Sequence, residues 1–111
     1  YEGRDAILEF LKEGLGPIDI QSMHHAHTPE IQITDKTTAK GIWYLEDFVI
    51  SQRPSKNAAY GTVMHGTGIY SDDYVKQDGR WWIASTGYER IFQDVQPRPE
   101  GSRLRTRWGE V

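Results

Sequence analysis

The chain has 111 residues, of which 37% are hydrophobic and 12% aromatic, with a formal net charge of −3. That is enough for one domain with one core, and the acidic balance argues against a general nucleic-acid binder, which shows a basic surface. Cysteine is absent, which excludes disulfides and thiolate metal sites and fits a reducing, cytoplasmic setting. No apolar run reaches the ~18 residues of a membrane span, and no signal peptide is visible.

Residues 4–14, RDAILEFLKEG, predict the one clear helix. Ile7, Leu8, Phe10 and Leu11 recur at helical spacing, Asp5 suits the first turn, and Gly14, Gly16 and Pro17 end it. The chain opens on Tyr1 and enters this helix at once, as a segment of a longer protein would.

Strand patterns follow. Residues 21–34 predict a first strand, with a bulge at Pro29 able to reset its parity. Asp35-Lys36-Thr37 reads as a turn, and residues 38–52 as a long aromatic second strand. A polar loop holds Pro54, residues 58–76 read as a third strand, and Asp78-Gly79 as a hairpin turn into a fourth over residues 80–94. Gly66 and Gly68 are where so long a strand would bend. Residues 95–111 shift to Pro, Gly and alternating Arg, a solvated tail or edge strap, or a contact with another subunit.

Side chains alternate along a strand, so His24 and Ala26 face one way, His25 and His27 the other. Imidazole suits a general base. On the second strand Trp43, Leu45, Asp47 and Val49 share a face. A carboxylate on that apolar stripe needs a partner, or its pKa should rise. The third strand puts Tyr60, Thr62, Met64, Gly66, Gly68, Tyr70 and Asp72 on one face, where two glycines could leave ligand space. His65 points to the other face. The fourth aligns Thr86, Tyr88 and Arg90; Arg90 could bind a carboxylate or an enolate oxygen. Bland readings stand beside each: a surface histidine, a wet aspartate at a strand end, an exposed salt bridge. The outer stripe of Ile42, Tyr44, Phe48 and Ile50 would meet a partner or the helix. His25-Ala26-His27 with Glu30 resembles a cupin metal set, but the second cupin motif is missing, so no metal is expected. Gly66-Thr67-Gly68 has no following helix and is no nucleotide loop.

The runs YEGRDAILEFLKEGL, SMHHAHTPEIQITDKTTAKGIWYLEDF and HGTGIYSDDYVKQDGRWWIASTGYER together resemble the SnoaL-like branch of the NTF2-like superfamily, over about residues 1–92. Scytalone dehydratase, bile-acid 7α-dehydratase and hexachlorocyclohexane dehydrochlorinase belong to that branch. The resemblance implies an α+β fold, a strongly curved antiparallel sheet wrapped with helices into a cone around an apolar pocket. It implies that residues 1–111 form one such domain lacking its N-terminal helical part. It places His24 at the general base, Asp47 at an assisting aspartate and Arg90, or Thr86, at an assisting residue on the last strand. The histidine's usual partner, an aspartate on an N-terminal helix, would precede Tyr1.

The expected function is cofactor-independent proton abstraction leading to dehydration or another elimination on a hydrophobic, cyclic substrate. A ketosteroid-type isomerase, a polyketide cyclase and a non-catalytic binding or assembly module are the alternatives. His24 and Asp47 are the expected catalytic pair, and Tyr70, Tyr88 and Arg90 the substrate or oxyanion contacts. Trp43, Leu45, Met64, Gly66 and Gly68 are the expected pocket lining. No cofactor, metal, nucleic acid or membrane is expected. The partners expected are a small hydrophobic molecule and one or two further copies of the chain, in the cytoplasm.

Overall fold

A computed structural model describes residues 1–110. Helix α1 spans Arg4–Leu15. Gly3 is its N-cap without a side-chain cap, Asp5 lies in the first turn and Lys12 in the last, each charge favourable to the helix dipole. The helix runs through Gly14 rather than stopping there, since an interior glycine costs only about 1 kcal/mol. It ends at Gly16, whose N–H bonds the Lys12 carbonyl, before Pro17, which has no N–H to continue the ladder.

The strands are β1 (Ile20–Ala26), β2 (Glu30–Ile33), β3 (Thr38–Ser51), β4 (Thr62–Gln77), β5 (Arg80–Pro97), β6 (Arg105–Thr106) and β7 (Gly109–Glu110). The main sheet has the order β1-β3-β4-β5, with β2 also pairing β3. The strand predicted over 21–34 is therefore two strands. The Gln52 N–H bonds the Asp19 carbonyl and the His27 N–H bonds the Tyr44 carbonyl, a single register that sets His24 across from Asp47. Beyond Pro29, β2 pairs Glu30 with Ile42, one residue out of that register. The break at residues 27–29 absorbs the extra residue and reverses the parity, as the bulge expected at Pro29 would.

Strand β4 begins at Thr62, later than the predicted residue 58. Ser55 and Ala58 bond each other's backbones, which curls residues 55–61 away from the ladder. Asp78 and Gly79 both hold positive φ, 52° and 75°, the type I′ turn that matches strand twist. The predicted tail carries the last residues of β5 and the β6–β7 hairpin, which pairs Arg105 with Glu110 and Thr106 with Gly109.

The chain divides into two compact units. One comprises residues 1–23, 48–64 and 95 onward. It holds the Arg53–Asp19 ion pair at 2.8 Å and buries Ala58. The other comprises residues 24–47 and 65–94. It buries Ala39, Leu45 and Asp47, and it carries the candidate site. Among the described residues no helix is long and apolar enough to cross a membrane.

Candidate active site

Three strands of the second unit put His24, Asp47 and Arg90 together. Asp47 on β3 is only 2% exposed. Arg90 on β5 grips it with both arms: Nη1 donates to Oδ1 at 2.5 Å and Nη2 to Oδ2 at 3.0 Å. His24 on β1 brings Nε2 to 3.8 Å from Asp47 Oδ2. Period-two alternation explains the common face, and the β1–β3 register explains the level. The paired fork satisfies a carboxylate that would otherwise be costly to bury.

The Arg90 hydrogen bonds hold the Asp47 carboxyl below the usual carboxylate range, against the opposing effect of burial. Asp47 pairing reciprocally raises Arg90. Asp47 is thus a fixed anion, suited to face an imidazolium and unsuited to carry a proton near neutrality. Its folded pKa lies below its unfolded one, so its stabilising contribution is complete above the unfolded value, ~3.9. That contribution drains away as pH falls through the folded value. Urea midpoints followed from pH ~6 to ~2 should fall more steeply in the wild type than in Asp47→Asn; parallel curves would contradict the pairing.

Tyr88 and Tyr70 continue the same face. Their rings lie 5.1 Å apart, centroid to centroid, and the Arg90 guanidinium carbon lies 5.1 Å from the Tyr88 ring centre. Burial pushes both phenols upward, so both remain hydrogen-bond donors at neutral pH. Next to them is an open cavity of about 410 Å³, lined by Ala26, Trp43, Tyr70, Asp72, Tyr74, Ile83 and Thr86. That volume lies in the range of small-molecule pockets.

The expected lining residues have different fates. Trp43 and Tyr70 line this cavity. Leu45, on the same β3 stripe, is buried at 2% exposure and is not part of the cavity's lining. Met64 falls in the first unit. Gly66 and Gly68 do not open empty space. A Cβ at Gly66 would strike Arg90 Nη1 and lie 3.0 Å from Asp47 Oδ1. One at Gly68 would lie 2.5 Å from the Tyr88 ring and 2.7 Å from the Glu89 carbonyl. The glycines are the floor on which Arg90 and Tyr88 lie. Gly68→Ala should destabilise by about 1–3 kcal/mol, because the Glu89 carbonyl is backbone and yields poorly. An unchanged urea midpoint would contradict this.

Sequence reasoning missed a polar relay at the cavity's other side. Trp43 Nε1 donates to the Tyr74 hydroxyl at 2.7 Å, Tyr74 donates to Asp72 Oδ2 at 2.8 Å, and Thr86 donates to Asp72 Oδ1 at 2.5 Å. Its only signal in the sequence was the alternation Tyr70, Asp72, Tyr74. On the opposite sheet face Glu46 lies 3.4 Å from His65 Nε2 and 4.0 Å from His27 Nε2, while Glu30 accepts from the Tyr44 hydroxyl. The cupin-like set of His25, His27 and Glu30 is not assembled, and among the described residues no group of three His, Asp or Glu is placed to share a metal ion.

A SnoaL-like domain profile matches residues 1–87. The chain belongs to the SnoaL-like domain family. Among solved structures it is similar to a crystal structure of a hexachlorocyclohexane dehydrochlorinase (LinA) type 2, with a TM-score of 0.74 at 14% identity, covering 92% of this chain and 68% of that one. At that identity the likeness speaks for the fold, which is NTF2-like, with an antiparallel sheet and one short helix. This SnoaL-like chain carries its ionised Asp47–Arg90 pair, its histidine and its apolar cavity on an NTF2-like frame.

Proposed function

We propose that the chain catalyses a cofactor-independent elimination, dehydration first, on a small, flat, apolar molecule. The observation that carries this reading is His24 standing 3.8 Å from a buried carboxylate that Arg90 keeps ionised. The His24 imidazole takes a proton from the carbon beside a carbonyl of a β-hydroxy ketone. The C–H electron pair moves into an enolate, whose oxygen receives hydrogen bonds from the Tyr70 and Tyr88 hydroxyls. As the enolate collapses, the β C–O bond breaks, and the His24 proton passes to the departing hydroxide to form water. Asp47 stabilises the imidazolium between the two steps. In this reading Asp47 neither shuttles a proton nor orients a substrate hydroxyl, and Arg90 acts by holding Asp47.

The similar solved structure is of a dehydrochlorinase, and loss of chloride from a carbon beside the abstracted proton would use the same groups. The test is turnover of a fused-ring β-hydroxy ketone to its enone. Conversion by the wild type, lost in His24→Ala, supports the reading. Conversion by neither removes it, as does equal conversion by both.

A further inference from the structure

The exposed lining of the open cavity is almost wholly apolar. Polar side chains stand around it, yet their polar atoms bond one another. Trp43 Nε1 donates to the Tyr74 hydroxyl, that hydroxyl donates to Asp72 Oδ2, and Thr86 donates to Asp72 Oδ1. An indole nitrogen carries one proton and accepts nothing, so this bond leaves Trp43 no polar atom for a ligand. What Trp43 gives the lining is ring carbon. Tyr74 in turn lies close on the β3 backbone: a Cβ at Gly41 would come 2.7 Å from its ring and 2.9 Å from its hydroxyl. The indole is thus tied at its nitrogen to a phenol that is itself seated on β3. Tyr70 is a second aromatic side chain in the lining, and Ala26 and Ile83 are aliphatic.

We infer that Trp43 is a specificity-determining residue of this cavity, selecting a ligand with an aromatic ring over one with a saturated ring on the same carbon skeleton. An aromatic pair, whether offset-stacked or edge-to-face, gains about two- to tenfold in affinity beyond what burial alone gives. A saturated ring gains burial only. The tie to Tyr74 orders the indole before any ligand arrives, so binding does not have to order it. The inference rests on the proposed use of this cavity by the substrate, and it adds the kind of ring that the substrate carries.

The probes are 2-acetylnaphthalene and 2-acetyldecalin, which share a carbon skeleton and a carbonyl and differ in the ring system. Both are titrated by NMR into the wild type, His24→Ala and Trp43→Leu. The affinity ratio of aromatic to saturated probe should be about two- to tenfold higher in the wild type than in Trp43→Leu. Comparing the two ratios cancels the probes' own difference in hydrophobicity. His24→Ala should keep the wild-type ratio. In the wild type, nuclear Overhauser effects should join the naphthalene protons to the carbon-bound indole protons of Trp43. Equal ratios in the wild type and Trp43→Leu, binding of neither probe, or contacts to Trp81, Trp82 or Trp108 without Trp43 would overturn the inference. If Trp43→Leu does not fold, the wild-type contacts decide alone. Ratio and contacts present with no turnover of the β-hydroxy ketone defeat the elimination reading alone. His24-dependent turnover without contacts to Trp43 defeats this inference alone.

Discussion

His24→Ala should lower turnover of the β-hydroxy ketone by about 10²–10⁴-fold, the usual contribution of a positioned general base, with little change in stability. His24 is 35% exposed and faces a carboxylate already satisfied by Arg90, so its loss leaves no buried charge without a partner. His24→Gln should behave alike, because an amide keeps the approximate shape and hydrogen bonds but takes no proton. Thermal melts on both variants would confirm a retained fold. A variant that keeps more than a tenth of wild-type turnover would place the base elsewhere.

Arg90→Leu should act in the opposite manner, on stability more than on any single chemical step. Asp47 would stay buried without its main partner, and breaking a buried pair from one side costs about 3–5 kcal/mol. Arg90 is 30% exposed, so the lower end of that range is expected. The pH dependence gives the clearer signature. With Arg90 gone, burial governs Asp47 and raises its pKa above the unfolded value. The cost is then largest above the raised folded pKa and shrinks as acid protonates the carboxyl, the reverse of the wild type. Asp47→Leu combined with Arg90→Leu should be less destabilised than Arg90→Leu alone, since removing both partners leaves no orphan charge. Urea titration of the wild type and the two variants checks both expectations, and equal losses in single and double variants would contradict them.

Much of this face could be read from residue alternation. His24 with Ala26, Trp43 with Leu45 and Asp47, Tyr70 with Asp72, and Thr86 with Tyr88 and Arg90 were each grouped correctly within their strands, because a strand has a fixed period of two. Which group meets which across strands is a matter of register, and period alone does not set register. A need for a partner at Asp47 was visible, and so was Arg90's fitness for a carboxylate. Joining them required the hairpin geometry of β3, β4 and β5. The two glycines misled for the same reason: Gly66 and Gly68 signal room, but not that Arg90 and Tyr88 fill it. Strict alternation would put Ile83 and Thr86 on opposite faces, yet both line the cavity. Strand β5 therefore departs from its period between them, an irregularity that no residue there announces. The Asp72 relay was hidden because its members are ordinary strand residues until Trp43 and Thr86 arrive from neighbouring strands.

In the proposed elimination His24 removes a carbon-bound proton. The most direct measurement is release to water of the label from the α-deuterated fused-ring β-hydroxy ketone, followed by NMR in wild type and His24→Ala side by side. Release should be enzyme-dependent in the wild type and fall to the solvent background rate in His24→Ala. Equal release in both, or none above background in the wild type, would contradict that role.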